Sequence, residues 1–141
     1  MSSASALRPE VGHETEIIVR FGDLDPYNHV NHARYLTFFE SARIEALDEM
    51  GFGMNEMAAA GYQIVLVDLH AEFHVPAGLH DRLRIDTEVI EVKRATSRWR
   101  QTAWRGDEKV VSLEVKAAFV GMEGRPVRAP DGFEAAAARF G

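Results

Sequence analysis

The 141-residue chain has no cysteine. That single absence excludes a disulfide framework, a cysteine nucleophile and a thiolate metal site. It also has no long uninterrupted apolar run, so no segment reads as a membrane span. The opening MSSASALRPEVG lacks a cationic start followed by an apolar core, which argues against a secretory signal. Positive charge is in deficit: 16 Lys and Arg stand against 22 Asp and Glu, a formal net charge of -6. This balance argues against a nonspecific binder of nucleic acid or anionic membrane, while a local basic patch could still hold an anionic ligand. The expectation is a cytoplasmic protein with no nucleic-acid or membrane partner.

What is present suits one globular unit, since 46% apolar residues over this length suffice for a single core. Residues 1–12, small and polar, read as a disordered head, and residues 13–141 as one domain. The domain opens on ETEIIVRF, where Ile17, Val19 and Phe21 alternate as the apolar face of a first strand. From Ala33 the period becomes helical. Tyr35, Phe38, Phe39, Ala42, Ala46, Leu47 and Met50 share one side, Leu36 and Ile44 widen it, and Gly51 and Gly53 supply the stop. A short turn of helix over MNEMAAA is expected next. Four strands then follow, at YQIVLVDLHAEFHV, RLRIDTEVIEVK, TSRWRQTAWR and KVVSLEVKAAFVG, joined by the short connections PAGLHD, KRA and GDE. No helical pattern separates these strands, so the fold class is α+β: a five-stranded antiparallel sheet around one long helix. PDGFEAAAARF closes the chain as a short helix.

The chemistry-bearing stretch is FGDLDPYNHVNHARYLTFFESAR, Phe21 to Arg43. Asp followed by Pro is common turn material, so Asp23 and Asp25 have a structural reading. The functional reading comes from their position. Asn31 is a candidate N-cap, and the helix starting at His32 points unsatisfied N–H groups at the same place. A carboxylate beside free helix-start amides can flank a carbonyl, one side attacking or activating water and the other stabilising an oxyanion. That suits acyl transfer.

The run RFGDLDPYNHVNHARYLTFFESARIEAL, with the β-α-β-β-β-β order, resembles the 4-hydroxybenzoyl-CoA thioesterase-like family of hot-dog-fold acyl-CoA thioesterases. The features that carry the resemblance are the aromatic-led D-x-D-P, the H-V-N and the aromatic helix, in that order. It covers about Glu14 to Val127. The resemblance implies an acyl-CoA thioesterase that needs no metal or other cofactor. Its catalytic carboxylate would be Asp25, as nucleophile or general base, and its carbonyl-polarising group the backbone amide of His32. Tyr35 would contact substrate, and Lys93 and Arg94 would hold the nucleotide end of coenzyme A. Dimers or tetramers with sites at the subunit boundary are implied as well. The family frequently has glycine where this chain has Asn28, a departure that bears on the turn or the acyl pocket. The alternative on the same fold is a non-catalytic acyl-CoA binding module.

Two further groups invite attention. Asp68, His70, Glu72 and His74 share one strand face by the period of two, which raises a metal reading; however, the spacing fits no established zinc pattern, and a polar sheet face explains it as well. The opposite face, Val65, Val67, Leu69, Ala71 and Phe73, is expected to touch the helix. Glu40 on the central helix is a reserve acid, for which an i,i+3 ion pair with Arg43 is the simpler reading.

Overall fold

The computed structural model describes residues 12–139; of the expected head, all but Gly12 lies outside that range. Strand β1 (His13–Ile18) leads through a 3-10 turn (Phe21–Asp23) and a loop into helix α1 (His32–Met50). Helix α2 (Met54–Ala59) and strands β2 (Tyr62–Phe73), β3 (Arg82–Val92), β4 (Thr96–Arg105) and β5 (Glu108–Gly121) follow, then helix α3 (Phe133–Ala138). The strands form one sheet in the order β1-β3-β4-β5-β2, antiparallel throughout, as short connections without crossover helices require. This is the expected hot-dog arrangement. No helix among the described residues is long and apolar enough to cross a membrane.

Helix α1 exists because its ends and its face agree. Asn31 caps the start, its Oδ1 accepting from Ala33 N–H at 2.9 Å, and Gly51 ends it in the left-handed region at φ 89°. The seven residues expected on the inner side are the ones that are buried. They pack with Leu83, Ile85, Trp99, Phe119 and Phe133 in one core. Gln101, buried on β4, ties helix to sheet: its Nε2 donates to Phe39 O at 2.9 Å and to Thr87 Oγ1 at 3.0 Å. Leu36 departs from the expected inner face, being 39% exposed toward β2.

Two sequence expectations are corrected. Phe21 is not on the inward face of β1: the strand stops at Ile18, and Phe21 is 81% exposed. Arg20 N–H donates to Asp23 Oδ2 at 2.8 Å and folds the chain into the 3-10 turn, which breaks the alternation. On β2 the expected period fails because Val67 is an extra residue between the pairs Leu66↔Ala117 and Asp68↔Lys116. This bulge reverses the phase, so Ile64 and Leu66, not Val65, join Leu69 and Ala71 on the helix side. Strand β2 is also an edge, paired only with β5, and its Val65, Leu66 and Val67 are 42%, 47% and 53% exposed.

Candidate active site

The segment between β1 and α1 is held almost entirely by its own polar groups. Asp23 is buried and structural: besides Arg20 N–H, it binds Arg34 Nε and Nη2 through Oδ1, both at 2.9 Å, while its carbonyl accepts from Asn31 N–H at 2.8 Å. Leu24 and Val30 then pair across a tight loop. Inside it Asp25 N–H donates to His29 O at 2.7 Å and Asn28 N–H to Asp25 O at 3.0 Å. The Asp25 side chain completes the loop, its Oδ1 accepting from Tyr27 N–H at 2.8 Å and His29 N–H at 3.2 Å. Its Oδ2 has no hydrogen-bond partner among the described residues. Asn28 stands at φ 64°, which accounts for the departure from glycine: asparagine is among the few other residues that visit this region readily.

Asp25 opens on a cleft of about 190 Å³ shared with His29, Val30, His32, Tyr35, Phe73, His74, Val75 and Pro76. Helix α1 enters it N-terminus first. Asn31 occupies the Ala33 amide, and the His32 N–H, first of the helix, has no acceptor among the described residues. The His32 ring stacks on Phe73 with centroids 4.4 Å apart, forming a wall rather than facing Asp25 as a partner. Tyr35 lies against Phe73 at 5.9 Å and edge-on to Phe38 at 6.0 Å. Its hydroxyl is buried and makes no hydrogen bond of good geometry among the described residues, although the Ala77 backbone lies near enough to act on it. Burial pushes its pKa up; the Ala77 backbone and the Arg105 charge pull the other way. On the far rim, His74 Nε2 meets Ser112 Oγ at 2.9 Å. A fixed carboxylate and an open helix N-terminus thus face one small cleft, a geometry suited to acyl transfer.

Over residues 19–137 the sequence matches the thioesterase-like superfamily. The chain belongs to that superfamily. The acyl-CoA thioesterase YbgC of Haemophilus influenzae is 35% identical over 127 residues, covering 89% of this chain and 93% of that one. The long-chain acyl-CoA thioesterase FadM of Escherichia coli is 37% identical over 79 residues, 56% of this chain and 59% of its own. Among solved structures, a probable thioesterase from Bartonella henselae shares the fold with a TM-score of 0.80 at 31% identity, over 84% of this chain and 98% of that one.

In this member of the thioesterase-like superfamily the remaining candidates lie elsewhere. Lys93 and Arg94 line a separate open cleft of about 730 Å³ with Arg128 and the start of α3. They sit beyond the far end of β3, whose 11 residues at a rise of roughly 3.3 Å put them about 36 Å along the strand from the Asp25 end. Within one chain they do not meet Asp25. Glu40 and Arg43 do not form the expected ion pair; Arg43 Nη1 instead donates to Gln101 Oε1 at 2.8 Å. The two line a cavity of about 250 Å³ with Leu36, Leu66 and Leu69, one helical turn along α1 from the Asp25 cleft. On the polar face of β2, His70 lies 3.8 Å from Glu72 and His74 is turned to Ser112. No three metal-ligating side chains converge among the described residues. The expectations from sequence did not include the segment Phe73–Pro76 as the cleft's second wall. The sequence reads FHV as the end of the second strand and PAGLHD as a plain hairpin connection.

Proposed function

We propose that the protein is a cytoplasmic acyl-CoA thioesterase, hydrolysing an acyl-CoA thioester to the free acid and coenzyme A, with Asp25 as the reacting carboxylate. The observation that carries this is the division of labour on Asp25: two backbone amides fix Oδ1, while Oδ2 is left without a partner in a cleft that His32, the first residue of the helix, also lines. In this reading the thioester carbonyl oxygen points at the His32 amide, whose position at the helix start favours developing negative charge. Oδ2 attacks the carbonyl carbon or takes a proton from the water that does. In the first case loss of the thiolate leaves a mixed anhydride on Asp25, which a water hydrolyses to the free acid and the restored carboxylate; in the second the water's oxygen ends in the acid directly, and in both the C–S bond breaks and the thiolate takes up a proton derived from that water. Tyr35 and Phe73 bound the acyl carbonyl, and the chain continues along the groove of α1 and β2 toward Leu36 and Leu69.

In this reading a second copy of the chain bridges the distance from Asp25 to Lys93 and Arg94. Strand β2 is an exposed apolar edge, and such edges pair. Its Phe73 end lies at the Asp25 cleft, and its Tyr62 end pairs with Gly121, near the turn after β3. Antiparallel β2–β2 pairing therefore sets Lys93 and Arg94 of one copy on the same side as Asp25 of the other. There they can hold the nucleotide phosphates of coenzyme A. The decisive experiment is free-thiol release by the wild-type protein from short, long, branched and aromatic acyl-CoA esters. Turnover of at least one class is expected. Binding without turnover across the panel would make the protein a non-catalytic acyl-CoA binding module.

A further inference from the structure

We propose that Asp81 and Arg105 form a positioning pair that fixes the Asp25 turn through the loop between β2 and β3. The proposal rests on the reading of Asp25 as the reacting carboxylate. Asp81 Oδ2 accepts from Arg105 Nη1 at 2.7 Å and from Gly78 N–H at 2.8 Å, closing residues 78–81 on themselves. The same guanidinium Nη1 donates to Pro76 O at 3.2 Å, so Arg105 grips the loop at two separated points. Its other face is occupied by Glu108 Oε1, which accepts from Nε at 3.1 Å and Nη2 at 2.6 Å. The guanidinium is thereby locked in one plane. The loop is tied to the residue that follows β1 as well, through Val19 N–H to Asp81 O at 2.9 Å and His80 N–H to Val19 O at 3.0 Å.

On this clamped loop rests the Asp25 turn. Val30 N–H donates to Ala77 O at 2.9 Å, and Ala77 is buried beneath it. Gly78 packs against the same turn, where a Cβ would stand in ordinary van der Waals contact with Asn28 O at 3.6 Å. Pro76 is both a wall of the cleft and an acceptor for Arg105. The chain of contacts therefore runs Arg105 to Asp81 and Pro76, then Ala77 and Gly78, then Val30 and Asn28, and ends at the turn that presents Asp25. Val30 and Ala77 belong to the core that α1 also builds, but the links from Arg105 to Asp81 and Pro76 lie outside it, so the pair itself supplies orientation more than packing.

That difference separates a positioning role from a merely stabilising one. The pair is about one-third exposed, and exposed ion pairs add little to stability. Small displacements of a reacting group cost much more in rate, about 10²-fold per ångström. In Arg105→Gln we expect kcat to fall by about tenfold, corresponding to a shift well below one ångström. KM and the melting temperature should stay near wild type, and amide hydrogen exchange at Val30 should accelerate. Arg105→Lys keeps the charge but not the planar fork, and should fall between the two. Three outcomes would overturn the proposal: kcat and Val30 exchange both at wild-type values in Arg105→Gln; a loss in KM instead of kcat; or collapse of the Arg105→Gln fold while Arg105→Lys keeps full kcat. Val30 exchange is read without turnover, so it tests the clamp separately. Full activity of Asp25→Asn, assayed in parallel, would instead remove the catalytic reading on which the proposal rests.

Discussion

At the scale of single residues, the two aspartates of GDLDP have opposite environments. Asp23 is buried and engaged through both oxygens, while Asp25 is half-buried and engaged through one. Letters alone give both the same turn chemistry, and only the resemblance ranked Asp25 higher, because the bonding of each oxygen depends on where the chain turns back. The Asn31 cap was legible, since capping is local. At Asn28 the left-handed backbone predicts that Asn28→Gly leaves stability close to wild type. Asn28→Val should lose about 1–2 kcal/mol, measured by chemical denaturation. Tyr35→Phe should not destabilise: it removes a buried hydroxyl that makes no hydrogen bond of good geometry, a group that costs about 1–3 kcal/mol where it is left unsatisfied. A melting temperature well below wild type would show that the hydroxyl is satisfied after all.

At the scale of elements, α1 was readable residue by residue because its apolar face obeys a single period over 19 residues. Strand β2 was not, because one inserted residue, Val67, reverses its phase, and nothing in an apolar run marks which residue is extra. The role of the loop 76–81 was also hidden, since it depends on Arg105, which lies 24 positions from Asp81. The pH response of that loop follows from its charges. Burial pushes the Asp81 carboxyl up, but the Gly78 amide and the Arg105 guanidinium outweigh it and hold it below the usual carboxylate range. A carboxylate with a lowered folded pKa contributes its stability in full above the ordinary range and loses it as pH falls through the lowered value. The gap in melting temperature between wild type and Asp81→Asn, small because the pair is about one-third exposed, should therefore be widest near neutral pH and close in acid. A gap independent of pH would contradict this.

At the scale of the whole molecule, the fold follows from an antiparallel sheet with short connections and one helix too apolar to face water, both visible in the letters. What a single chain's letters do not carry is the relation between copies. Lys93 and Arg94 are about 36 Å along the strand from the Asp25 end of their own sheet, and the proposed pairing through the exposed β2 edge is what would bring them to a second copy's cleft. Val67→Lys places a charge on that edge and should convert a dimer to monomers in sedimentation equilibrium, with loss of turnover. An intact dimer would exclude β2 as the interface. The central claim is that Asp25 is the reacting carboxylate, and free-thiol release by Asp25→Asn tests it most directly. The account predicts a loss of turnover of about 10²–10⁴-fold with an unchanged melting temperature and oligomer. Hydrolysis at the wild-type rate would contradict it.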